Sequence, residues 1–174
     1  SIITIEEKIL FTDFYFYEND IHVGVTSNGT LIDKYLNSLA YHTKWVRISV
    51  DAGSEDVFQQ YRPHASGKSQ FNKVIDGMRR LAEARTTKLG FSFLVLEKID
   101  ADKSYKDKGK NYVETNATDI HNAAKLAKDI GCDYFEVKPS FDPFHFLNDT
   151  SETMANIIKD ELYKCSSLVD DNFK

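Results

Sequence analysis

Cysteine is scarce in this chain: of 174 residues only Cys132 and Cys165 carry a thiol. They lie far apart and form no C-x-x-C pair, which argues against a disulfide framework and, by itself, against a structural zinc site. No apolar run is long enough to span a bilayer and no basic-then-apolar leader opens the chain, so the cytoplasm is the expected compartment. Positive charge is not in excess either. With Lys+Arg 22 against Asp+Glu 27 the formal net charge is -5, which supplies no basic field for nonspecific binding of nucleic acid. The polar stretch Arg62 to Lys68 contains a single glycine and no G-x-x-x-x-G-K-[ST] pattern, so a phosphate loop has little support there. What the chain does contain is 41% hydrophobic and 13% aromatic residues, enough to argue against disorder and for one domain over 1–174 with a substantial core.

The clearest stretch is Trp45 to Asp56. Val46, Ile48 and Val50 fall on one face of an extended segment and Arg47, Ser49 and Asp51 on the other. Ala52-Gly53 then turns the chain, Ser54 is a helix N-cap candidate, and Glu55 and Asp56 suit the positive end of a helix dipole. This reads as a strand feeding a helix at its C-terminal end, the end where parallel α/β sheets and barrels bind ligands, so Ser49 and Asp51 are the first site candidates. A half-exposed strand whose polar face meets water fits the stretch equally well.

The same grammar recurs along the chain. Ser1 to Tyr17 reads as mainly helical, although its aromatic cluster has no clean period, and Glu18-Asn19-Asp20 is turn chemistry. Ile21 to Ser27 is an expected strand broken by Asn28-Gly29, with Thr30 capping a helix that carries Leu31, Ile32, Tyr35, Leu36 and Leu39. Ser69 to Ala84 is an expected helix with Phe71, Val74, Ile75, Met78 and Leu81 in one stripe. Leu89 to Leu96 is a nearly continuous apolar run, as expected of a strand covered on both faces. Glu97 to Thr115 is an expected mobile, solvated connection. Thr118 then caps a helix ending at Gly131, Cys132 to Pro139 is a strand, and a last helix covers Ser151 to Cys165.

Strand and helix repeated about four times predict parallel strands joined by right-handed crossovers. Thr26, Ser49, Asp51, Glu136 and Lys138 recur on one face of several strands. With helices over the opposite face, these side chains converge on a concave polar surface, more natural for the lumen of an incomplete barrel than for a doubly wound sheet.

Here the residues carry a resemblance. Val25-Thr26-Ser27-Asn28-Gly29-Thr30, then Val46 to Ala52, then Phe71 to Leu81, then Cys132 to Pro139 resemble, in order and spacing, the middle and later part of the radical S-adenosylmethionine (radical SAM) enzyme core. In that family a T-N-G turn closes the third strand, an S-[IVL]-D segment makes the fourth, and an Asn precedes the helix before the sixth, as Asn116 does here. The resemblance implies an α/β fold, a partial parallel β/α barrel. It also implies S-adenosylmethionine and a four-iron four-sulfur cluster as cofactors, a reductant such as flavodoxin or ferredoxin, and a small-molecule or peptide substrate. The complete enzyme would cleave S-adenosylmethionine reductively to a 5′-deoxyadenosyl radical that abstracts hydrogen. It further implies that Ser49 contacts the cosubstrate ribose or carboxylate, that Thr26 and Asn28 line the same end, and that Asp51 orients Ser49 or a cosubstrate group. Arg62 would pair with a carboxylate, and Glu136 and Lys138 would lie near adenine or substrate.

The family's cluster motif, C-x-x-x-C-x-x-C, and its G-G-E-like stretch are missing from the sequence, and soft thiolates on one loop are what hold such a cluster. A fragment, a gap in the sequence between about Ile9 and Phe14, or a relative without the cluster would each account for this, the first two being preferred. Two other classes remain: a cluster-free α/β module binding a small molecule or a protein, and a phosphate-binding barrel enzyme using backbone amides at Gly29 and Ser54.

Overall fold

A computed structural model describes residues 22–96, 115–139 and 152–174 of the chain. The segment Ser1 to Tyr17, the turn at Glu18-Asn19-Asp20, residue Ser151 and the expected mobile connection, apart from its last residue Thr115, lie outside the described residues. Four strands form one sheet: β1 (Gly24–Ser27), β2 (Trp45–Ser49), β3 (Lys88–Val95) and β4 (Tyr134–Pro139). They lie in the order β1-β2-β3-β4 and every pairing is parallel, as the strand-helix alternation predicts. Helices α1 (Leu36–Tyr41), α2 (Glu55–Tyr61), α3 (Phe71–Ala84), α4 (Ile120–Ile130) and α5 (Glu152–Cys165) connect and follow them. This four-stranded parallel α/β arrangement agrees with a partial β/α barrel.

The alternation in β2 decides which face is which. Val46, Ile48 and Val50 are fully buried and share one cluster with Leu89, Phe91, Phe93 and Val95 of β3, Val74, Met78 and Leu81 of α3, and Ile120, Ala123 and Ala127 of α4. Helices therefore cover that face, and removal of this apolar surface from water is the main driving force for the layer. The other face carries Thr26, Arg47, Ser49, Gly90, Ser92, Glu136 and Lys138, aligned by the registers Thr26↔Arg47↔Gly90↔Tyr134 and Ser49↔Ser92↔Glu136. This is the polar face expected from the sequence, except that Asp51 is not on it: its backbone turns left-handed and its carboxyl group is buried at the sheet edge.

Two local expectations change. Thr30 does not cap a helix: its hydroxyl donates to Asn28 Oδ1 at 2.9 Å, and the helical chain begins with a 3-10 turn at Asp33–Tyr35. The cap expected of Thr118 belongs to Thr115, whose Oγ1 accepts from Ala117 N ahead of a 3-10 turn at Asn116–Asp119. The expectation of a strand covered on both faces holds for β3: Leu89, Phe91 and Phe93 face the helices, and Gly90 and Ser92 on the other face are buried too. Other signals hold. Ser54 caps α2 by accepting from Val57 N, and Gly131 ends α4 at φ 91°.

The turn after β1 depends on one glycine. Gly29 has φ 78°, and a Cβ there would lie 2.8 Å from both Ile48 Cγ2 and Val74 Cγ1. Gly29→Ala adds left-handed strain to core overlap and is expected to destabilise the chain by about 2–4 kcal/mol, read as a lower urea midpoint. A midpoint equal to that of the parent chain would show that the turn relaxes without cost.

Candidate functional site

The C-terminal edge of the sheet is built around Asp51. Its carboxyl group is fully buried and its backbone is left-handed at φ 62°, an uncommon conformation for a residue with a Cβ. Asp51 Oδ1 accepts from Leu94 N at 2.7 Å, while Oδ2 accepts from Arg62 Nε at 2.6 Å and also from Arg62 Nη2. A buried carboxylate persists only when paired and hydrogen-bonded, and here both conditions are met. Asn116, 1% exposed, continues the network: its Nδ2 donates to the carbonyls of Asp51 and Leu94, each at 2.9 Å, and its Oδ1 accepts from Leu96 N at 2.7 Å. Asp119 Oδ2 accepts from Gly53 N at 2.6 Å. Gly53 is obligatory there, since a Cβ would lie 2.4 Å from Ala123 N. From α5, Glu161 Oε2 accepts from His121 N in the first turn of α4, a carboxylate at the favourable end of the helix dipole.

On the concave face the side chains lie flat. Arg47 Nη1 donates to Glu136 Oε2 at 3.0 Å, and Arg47 Nη2 to Thr26 Oγ1 at 3.2 Å. Arg47 thus ties β1 to β4 across β3, where the small residues Gly90 and Ser92 lie on that face between them. Lys138 Nζ pairs with the same Glu136 oxygen at 3.1 Å. The Tyr134 ring covers Gly90 so closely that a Cβ there would be 2.1 Å from it, and the Trp45 indole covers Gly24 in the same way. Burial pushes the Tyr134 phenol above its usual range, against the pull of Arg47.

Of the sequence-derived candidates, Thr26, Glu136 and Lys138 are joined into one group through Arg47. Ser49 lies in the adjacent row beside Ser92, with no side-chain hydrogen bond among the described residues. Asn28 is engaged locally, accepting from Thr30 N at 3.2 Å and from the Thr30 hydroxyl. Asp51 and Arg62 pair with each other at the strand ends; the carboxylate that Arg62 binds in this structure is Asp51's. Arg47 and Asn116 are the members that sequence reasoning gave no site role. Strand alternation places Arg47 on the polar face, but nothing local marks it as the link between β1 and β4.

A family model of the radical SAM superfamily matches residues 2–102, more than half of the chain. The chain belongs to the radical SAM superfamily. The matched span includes β1 to β3 and ends before β4, so Glu136 and Lys138 stand on their own geometry. No curated protein matches.

The thiols of this radical SAM chain do not fit the superfamily's cluster. Cys132 sits at the N-terminal end of β4, opposite the Asp51 edge, and burial pushes its thiol up to about 12. Cys165 ends α5, packed against the core. Among the described residues no three of His, Cys, Asp and Glu gather as a metal site, and no helix is long and apolar enough to cross a membrane.

Asn116→Ala strips the side-chain partner from three backbone groups and is expected to cost about 3 kcal/mol in urea unfolding; a cost below about 0.5 kcal/mol would show the network dispensable. Cys132 supplies a second prediction. Burial pushes its thiol up to about 12 from an ordinary 9.0, so its contribution to stability is complete below the unfolded value and is lost as pH rises towards the folded one. Stability should therefore fall more steeply between pH about 9 and 11 in the parent chain than in Cys132→Ala. Equal slopes would contradict the burial of this thiol.

Proposed function

We propose that this chain forms the cosubstrate-facing wall of a radical SAM enzyme core, binding S-adenosylmethionine at the C-terminal ends of β1 and β2. The observation that carries this reading is Ser49: a hydroxyl at the end of β2, on the concave face, with no partner among the described residues, in a chain of this superfamily. Ser49 would donate to the ribose or to the methionine carboxylate. Thr26 and Asn28 line the same end. Arg62 is held by Asp51 through Nε and Nη2, which fixes its guanidinium plane and leaves Nη1 to meet the cosubstrate carboxylate. Asp51 acts through Arg62 and the edge of β3, as a positioning residue. Glu136 and Lys138 lie along the wall towards adenine or substrate.

In the complete enzyme the reaction would be reductive cleavage of S-adenosylmethionine followed by hydrogen abstraction, fed by a reductant such as flavodoxin or ferredoxin and acting on a small-molecule or peptide substrate. Neither Cys132 nor Cys165 can take part in holding the cluster, so its thiolates have to come from outside this chain's own cysteines. The same mismatch is the observation favouring a second reading, a cluster-free module that uses the concave face to bind a small molecule or a protein.

Anaerobic reconstitution of the chain with iron and sulfide is expected to yield no four-iron four-sulfur absorbance. Calorimetry with S-adenosylmethionine is expected to show weak binding that Ser49→Ala lowers about tenfold, the ~1.4 kcal/mol of one lost hydrogen bond. A cluster forming on this chain would overturn the cysteine argument. Cosubstrate binding unchanged by Ser49→Ala would remove Ser49 from the site, and no binding at all would favour the cluster-free module.

A further inference from the structure

The polar face, or floor, carries an imbalance of charge that the cosubstrate reading leaves without a ligand of its own. Arg47 and Lys138 both pair with a single oxygen, Glu136 Oε2, at 3.0 Å and 3.1 Å, so two cationic nitrogens are near neighbours with one carboxylate between them. The group is one positive charge in excess. It is also rigid. The Arg47 guanidinium is fixed by Glu136 and Thr26, lies 5.6 Å from the Trp45 ring centroid, and its Nε is buried with no partner among the described residues. The strand between Arg47 and Glu136 carries only small residues at this level, Ser92 and the Gly90 that lies under the Tyr134 ring. The side chains of Arg47 and Lys138 are 26% and 36% exposed, so the group is open to a ligand yet only partly screened by water.

We propose that this floor recognises a carboxylate carried by the substrate, with Arg47 and Lys138 as its cations; the proposal rests on the reading of the chain as a radical SAM wall. A carboxylate fits better than a phosphate, because one added negative charge balances the group whereas a phosphate dianion beside Glu136 would leave it negative. Substrate fits better than cosubstrate. Arg47 stands two residues before Ser49 on β2, further from the C-terminal edge where Arg62 and Asp51 meet. Guanidinium recognition also explains why a planar, fixed Arg and not a Lys occupies the centre of the floor.

The test follows the Arg47 Nε–H resonance of the 15N-labelled chain, assigned by its loss in Arg47→Lys, during titration with N-acetylglycine and its neutral isostere N-acetylglycinamide. The acid is expected to shift the resonance saturably and the amide to leave it in place. Lys138→Met, which removes a partly exposed cation, should weaken acid binding at least threefold while the Arg47 resonance stays observable. An equal response to acid and amide, no response to either, or acid binding unchanged in Lys138→Met overturns the proposal. So does inorganic phosphate displacing the acid, which would make the group a phosphate site. S-adenosylmethionine added to the same sample separates the two readings. If it competes with the acid, the floor belongs to the cosubstrate and the proposal fails. If it does not bind, the cosubstrate reading fails while the acid titration still decides the floor.

Discussion

The buried carboxylate of Asp51 is the constraint on which the C-terminal edge of this sheet depends. Where β2 ends, the chain must leave the sheet, and the backbone groups of the neighbouring strand would lose their partners in a place closed to water. Asp51 meets this by adopting a left-handed backbone, at a cost of about 1–2 kcal/mol, that turns its carboxylate to Leu94 N. The carboxylate then needs a cation, and Arg62 supplies it from beyond α2. Removal of either partner would strand a buried charge, so the two residues act as one unit. Asn116 completes the edge from the far side of β3, satisfying donors and acceptors that Asp51 leaves over.

A different solution holds the concave face. The opposite face is closed by helices, but here, among the described residues, long side chains lie along the sheet. That is feasible only where the strand beneath is bare, and Gly24, Gly90 and Ser92 provide this under Trp45, Tyr134 and Arg47. The glycines are therefore not weak points of the strands. They are the space into which the aromatic rings and the guanidinium settle, and a methyl group at Gly90 would meet the Tyr134 ring head-on.

What was legible in the sequence was what repeats locally. Val46, Ile48 and Val50 alternate because one face of β2 is packed and the other is not, so the strand and its buried face could be read directly, as could the α3 stripe and the Gly131 stop. Leu89 to Leu96 was legible as a strand covered on both faces because even its small residues, Gly90 and Ser92, are buried under side chains of the neighbouring strands. The cap at Thr118 lost to Thr115 because several hydroxyl residues precede α4 and tertiary contacts chose among them. Thr115 Oγ1 also bonds Leu96 O, which fixes it at the edge of β3. The partnerships of Asp51 with Arg62, Leu94 and Asn116, and of Arg47 with Glu136, span 11 to 89 residues and left no local trace.

Fold and chemistry draw on separate residues in this chain. The core of β2, β3, α3 and α4 is aliphatic and aromatic, the sheet edge is held by Asp51, Arg62 and Asn116, and the polar floor by Arg47, Thr26 and Glu136. None of these parts uses a thiolate. Cys132 contributes only as a small buried hydrophobe whose reactivity its surroundings suppress. A sequence can therefore carry the order, spacing and edge chemistry of the superfamily while its own cysteines play no part in the superfamily's cluster. It follows that superfamily membership and competence for the superfamily reaction are distinct physical properties, the first residing in the sheet and the second in a loop of thiolates.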